Sequence, residues 1–194
     1  MVDTRAKFDD LFSSLLQFVR LGFDSDPEQI LYLFEQIWGI ERPKLVISVH
    51  GGIANFALQT KLARVFRKGL LKAAKTTGAW IITSGLNAGE LESPSVVRHV
   101  ASALSDGGGL RAKKKIVTIG IAPWGLLKKR DDFVGRETIV PYHPQAFSPK
   151  GRFAILNDKH SFFLLVDNGT IGRYGADIIL RKRFEEYVSK LRIE

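Results

Sequence analysis

Two features of the sequence predict an α/β fold built on a parallel sheet. Four near-continuous apolar segments, 44–49, 79–83, 116–122 and 162–167, read as strands buried on both faces. Helical patterns separate them, and strand–helix–strand repeats build a right-handed sheet with helices on both faces. The expected architecture is a Rossmann-like parallel β-sheet preceded by N-terminal helices. The N-terminal helical segment covers 1–40 and the Rossmann-like domain 41–194, in one compact unit.

In 5–20, Phe8, Phe12, Leu15, Leu16 and Val19 recur at helical spacing and predict a helix. Asp24 to Pro27 resets the chain. "PEQILYLFEQIW" then begins a second helix with Pro27 in its first turn. Between the first two strands lies "LQTKLARVFRKGLLKAAKTTG". There Leu62, Val65, Phe66, Gly69, Leu70, Ala73 and Ala74 trace an apolar face. Lys61, Arg64, Arg67, Lys68, Lys72 and Lys75 trace a basic one. Ser95 to Leu104 can form a helix, and "RYGADIILRKRFEEYVSKLRI" gives a long final one. Residues 126–160, with Pro141, Pro144 and Pro149, read as a long connection with short strands, and 104–115 as a Gly-rich basic surface loop.

Composition narrows the function classes. At 194 residues, with 45% hydrophobic and 25% charged, the chain suits one globular domain. It has no cysteine, which removes disulfides, thiolate zinc sites and cysteine nucleophiles together. No apolar run approaches the roughly 18–20 residues that cross a bilayer; the longest candidates, such as "FFLLV", are strand-sized. "MVDTRAKFDD" lacks the order of a signal peptide, so a soluble, cytosolic chain is expected. The net charge of +9 fits nucleic acid, anionic lipid, a phosphorylated small molecule, or a generally basic surface. No aromatic-interleaved platform or zinc-finger spacing accompanies it, and nucleic acid is not expected as a partner.

Each strand ends in a small-residue loop. The first ends in His50-Gly51-Gly52, with Asn55 beyond; the second in Thr83-Ser84-Gly85, with Gly89 beyond. The third ends in Trp124-Gly125 and the fourth in Gly169-Thr170. Ligands of open parallel sheets sit beyond these carboxyl ends. Glycine lets backbone N–H groups approach phosphate oxygens, and the helix that follows aims its partial positive charge there. Against this, glycines also simply end strands. Neither GxGxxG nor GxxxxGK[ST] is present. Tyr174 and Arg181, seven apart, share one face of the last helix. Tyr174 would stack on a base and Arg181 would meet a phosphate, or Arg181 would pair with Asp177 while Tyr174 packs locally. Trp124 is a stacking platform or a core aromatic. His99, His143 and His160 are too scattered to suggest a metal site. No nucleophile or acid–base set is recognisable, so neither catalysis nor a cofactor is expected.

"LVISVHGGIANF", "KLARVFRKGLLKAAKTTGAWIITSG", "VVRHVASALSD", "TIGIAPWG", "LNDKHSFFLLVDNGT" and "RYGADIILRKRFEEYVSK" together resemble one family over about residues 43–191. It is the N-terminal cytosolic, SLOG-like homology region of melastatin-type transient receptor potential cation channels. The resemblance implies a regulatory ligand domain of a tetrameric, calcium-permeable channel at the plasma membrane. In one branch this region binds ADP-ribose through the glycine rim with a Tyr and an Arg of the last helix, matched here by Tyr174 and Arg181. The implied ligand-binding set is Gly51, Gly52, Asn55, Thr83, Ser84, Gly85, Gly89, Trp124, Gly125, Gly169, Thr170, Tyr174 and Arg181. Implied partners are other domains and subunits of the tetramer and an adenine nucleotide; in the competing structural reading, the basic face at 61–75 meets calmodulin or an acidic partner. Two departures stand out. Thr83-Ser84-Gly85 replaces the family's Thr-Gly-Gly, and "ELESPS" brings Glu90 and Glu92 near the proposed anion site. The competing reading is a structural assembly module whose crevice is vestigial.

Overall fold

The computed structural model describes residues 4–8, 15–51, 59–87, 97, 99–101, 103, 116–135, 139–142 and 153–191. Their strands are β1 (Thr4–Phe8), β2 (Leu15–Gly22), β3 (Val46–Ser48), β4 (Trp80–Thr83), β5 (Leu86–Asn87), β6 (Val117–Pro123), β7 (Ile139–Tyr142), β8 (Ile155–Leu156) and β9 (Phe162–Asp167). The helices are α1 (Pro27–Tyr32), continued as a π-turn over Leu33–Ile37, α2 (Thr60–Thr77) and α3 (Ala176–Lys190). Val97, His99, Val100, Ala101 and Ala103 are also helical.

Seven strands form one sheet in the order β3-β4-β6-β9-β2-β1-β7, and β5 pairs with β8 separately. β3, β4, β6, β9 and β2 are mutually parallel, so their carboxyl ends share one rim. β1 runs antiparallel to β2 and carries β7 parallel to itself. The four strands read from the sequence are all present, and they are adjacent.

The expected helix over 5–20 is not found among the described residues: β1 and β2 occupy the described parts of that stretch. The reason is burial on both faces. Phe18 points into a cluster with Ala122, Phe133, Phe163 and Leu165. Its neighbours Val19 and Leu21 point into the opposite cluster with Ile30, Phe34 and Phe184. A strand apolar on both sides repeats at helical as well as strand spacing, so periodicity cannot separate the two. This segment is therefore not a helical preface: β2 lies inside the sheet, between β9 and β1.

α1 starts as its sequence requires. Asp26 caps it by accepting from the Glu28 N–H at 3.1 Å, and Pro27 takes the first turn, where no N–H is needed. α1 and α3 cover one face of the sheet, burying Ile30, Phe34, Leu180 and Phe184 against Trp80, Ile82, Ile119 and Leu164. α2 covers the other face, with Leu70 and Ala74 against Ile81, Val100 and Ala103. Only Ala63, Leu70 and Ala74 of α2 are fully buried, while Leu62 and Val65 are exposed. The apolar face predicted for this helix is thus rotated away from the one it buries. Gly78, in the left-handed conformation, ends α2 and returns its N–H to the Ala74 carbonyl.

Candidate functional site

The carboxyl ends of β3 and β4 and the flank of α3 enclose a cavity of about 1120 Å³. Ser48, His50 and Gly51 form its strand-side wall, with Ser84 after β4 and Pro123 at the end of β6. Leu86 and Val97 add apolar surface. The opposite wall is α3 and its approach: Tyr174, Gly175, Asp177, Ile178, Arg181, Lys182, Glu185, Glu186 and Ser189. A helical repeat of three and four explains the helical part of the wall, since 178, 181, 182, 185 and 189 fall on one face; Tyr174 does not share it as the sequence suggested, because α3 begins at Ala176 after the left-handed Gly175.

Ser48 is the hub of the polar corner. Its hydroxyl donates to Glu185 Oε1 at 2.6 Å. Its lone pairs then accept from Arg181 Nη2 at 2.8 Å and from His50 Nε2 at 2.9 Å, which gives His50 its Nε2–H tautomer. Arg181 also donates from Nε to Glu185 Oε1 at 2.8 Å, and from Nη2 to the carbonyls of Ile82 and Val49 at 3.2 and 3.3 Å. One guanidinium therefore ties α3 to the ends of β3 and β4. Its i,i+4 partner is Glu185, not Asp177.

The wall is electrostatically mixed. Arg181 and Lys182 face Asp177, Glu185 and Glu186. Burial pushes the Asp177 carboxyl up, against the pull of the Asp177 and Gly175 backbone amides and the Arg181 charge. Asp177 lies in the first turn of α3. The positive end of this helix dipole already has a carboxylate beside it.

Of the residues singled out in the sequence, the cavity gathers Gly51, Ser84, Tyr174 and Arg181. Tyr174 is half-exposed on its wall and Arg181 is buried in it. Gly52, Asn55 and Gly89, with Glu90 and Glu92, lie outside the described residues. The others are held elsewhere. Thr83 is fully buried; it accepts from the Gly85 N–H at 2.8 Å and bonds His160 Nε2 at 2.8 Å. A Cβ on Gly85 would fall 2.6 Å from the Gly120 Cα, so this glycine serves strand-to-strand packing. A Cβ on Gly125 would fall 1.8 Å from the Thr170 carbonyl oxygen, and Gly172 N–H donates to the Gly125 carbonyl at 2.9 Å. Gly125 and Thr170 thus serve each other. Trp124 is buried in the core with Phe133, and the Arg20 guanidinium stacks 4.4 Å over its ring. Arg20 also bonds Asp167, at 3.1 Å from Nε, which fixes the turn holding Gly169. In that turn Gly169 N–H and Thr170 N–H are taken by Asp167 Oδ1 and Asn168 Oδ1.

His160 sits behind this rim. It is fully buried, and burial lowers its pKa to about 4, against the charge of Asp158. Nδ1–H reaches Asn157 Oδ1 at 3.2 Å, and Asn157 donates from Nδ2 to Asn87 Oδ1 at 2.6 Å. Thr83, His160, Asn157 and Asn87 brace the turn that presents Ser84. Sequence reasoning missed Ser48, Lys182 and Glu185, and named Asp177 only as a partner for Arg181. The signals were a lone hydroxyl within "LVISV" and a carboxylate four residues after Arg181.

Comparison with known proteins agrees with this architecture. Residues 16–194 match the family described as SLOG in TRPM. A Transient receptor potential channel of Caenorhabditis elegans is 62% identical over 174 residues, 90% of this chain. The Drosophila melanogaster Transient receptor potential cation channel trpm is 49% identical over 177 residues, 91% of the chain. Human Transient receptor potential cation channel subfamily M member 7 is 46% identical over 177 residues, again 91%. The chain spans only 8–9% of the length of these relatives. No helix among the described residues is long and apolar enough to cross a membrane.

Proposed function

The chain belongs to the SLOG in TRPM family, and from that premise we propose that it is the cytosolic regulatory ligand-binding domain of a TRPM cation channel. Its ligand is ADP-ribose or a close relative, taken up in the cavity beyond β3 and β4. Binding biases gating because the ligand has different affinity for two channel states.

The observation that carries this reading is the mixed wall. A bare phosphate would be repelled by Asp177, Glu185 and Glu186. A nucleotide sugar carries a pyrophosphate and several ribose hydroxyls. Lys182 and the backbone amides near Gly51 and Ser84 suit the first; the carboxylates suit the second. Tyr174, 53% exposed, leaves a ring face for the base. A volume of about 1120 Å³ has room for such a ligand, being just above the ~300–1,000 Å³ usual for small-molecule sites.

Calorimetry with ADP-ribose, ATP and cyclic ADP-ribose tests the proposal. Saturable heat with ADP-ribose, reduced by Tyr174→Ala, is expected. No heat and no thermal shift at millimolar ligand would leave the crevice vestigial and the domain an assembly module of the channel.

A further inference from the structure

We propose that the outer face of α2 is the docking surface for an acidic amphipathic helix, independent of the cavity. α2 carries Lys61, Arg64, Arg67, Lys68, Lys72 and Lys75 and no acidic residue. Among the described residues, Lys61, Arg64, Lys68 and Lys72 make no ion pair, although all four are exposed. Along one side of them run Leu62 and Val65, 55% and 64% exposed. Leu62, Val65 and Gly69 follow a 3–4 spacing, the seam along which one helix packs on another.

Gly69 separates a helix from other anionic partners. It sits inside an 18-residue helix, where glycine weakens the helix relative to alanine. It is exposed, its φ is helical, and a Cβ built on it meets nothing within 4 Å. Nothing in the described structure needs the missing side chain. A notch beside two branched side chains admits a knob from a neighbouring helix, whereas a lipid headgroup layer gains nothing from a notch there. The other face of α2 is closed: Leu70 and Ala74 pack on Ile81 and Val100. A partner that encloses a helix from both sides, as calmodulin does, would have to lift them off the sheet. A helix laid along one side would not. Its carboxylates would lie along one side of an apolar seam to match the four cations.

The test is fluorescence anisotropy of a labelled peptide with Leu along one helical seam and Glu along one flank of it, titrated with the 194-residue chain. One-to-one binding is expected, weakened roughly tenfold or more by Arg64→Glu with Lys68→Glu. Gly69→Leu is expected to weaken it as much while raising the melting temperature, which separates docking from folding. A scrambled peptide of the same composition is expected to bind roughly tenfold less. Equal binding of the scrambled peptide, or full binding by Gly69→Leu, would overturn the proposal as diffuse charge attraction. Uptake onto phosphatidylserine vesicles without binding the peptide would overturn it in favour of a membrane surface.

Discussion

Arg181 Nη2 lies 2.8 Å from Ser48 Oγ, so the last helix is tied to the first parallel strand where the cavity opens. The side chain of Arg181 is only 8% exposed, and it satisfies two main-chain carbonyls as well. An arginine placed by sequence as a phosphate ligand is first a fastener of the site's walls.

Replacing Arg181 by Ala leaves Glu185 without its cation and removes the guanidinium donor from the Val49 carbonyl, while the Ile82 carbonyl keeps the Val49 N–H at 2.8 Å. The expected loss of stability is roughly 3–5 kcal/mol, read from urea unfolding. Glu185→Gln, which keeps an acceptor for the Arg181 Nε–H, is expected to cost less.

Tyr174 makes the opposite prediction. Its ring is half-exposed, so Tyr174→Ala changes stability by no more than about 0.5 kcal/mol. Loss of a stacking face lowers ADP-ribose affinity by about 1–2 kcal/mol, roughly 5- to 30-fold, measured by calorimetry.

His160 predicts a pH dependence. Burial holds its folded pKa at about 4, below the unfolded value of 6.5. The unfolded chain therefore binds the extra proton first as pH falls. The stability is complete above pH 6.5, declines between 6.5 and about 4, and has lost roughly 3 kcal/mol at the bottom of that window. Unfolding curves across this range check the slope, and His160→Gln flattens it.

Gly125→Ala puts a methyl group 1.8 Å from the Thr170 carbonyl oxygen. Both turns must part, at a cost of about 1–3 kcal/mol by thermal unfolding. The calorimetric affinity for ADP-ribose per folded molecule is expected to stay within a factor of about two, because neither residue lines the cavity.

The parallel strands β3, β4, β6 and β9 and the helices α1, α2 and α3 were legible because each is a strong, uninterrupted pattern. β2 was not, since Phe18 and Val19 are buried on opposite sides and mimic a helix. The glycine loops were legible as carboxyl ends of strands, but not in their purposes. Gly85 and Gly125 answer to Gly120 and Thr170, contacts far away in sequence. The seven-residue step between Tyr174 and Arg181 is not a helical one, since α3 begins only at Ala176, yet both residues line the cavity. The Ser48–Glu185 bond was not legible, because it joins residues 137 apart. Leu62 and Val65 looked like core because their spacing is helical; only the docked orientation of α2 reveals them as surface.

The central claim is that a nucleotide sugar enters between β3 and α3, and amide-resolved NMR titration of the chain with ADP-ribose tests it most directly. The account predicts saturable shifts at Gly51, Ser84, Tyr174 and Gly175, with α2 unmoved. Shifts confined to α2, or none at saturating ligand, would contradict it.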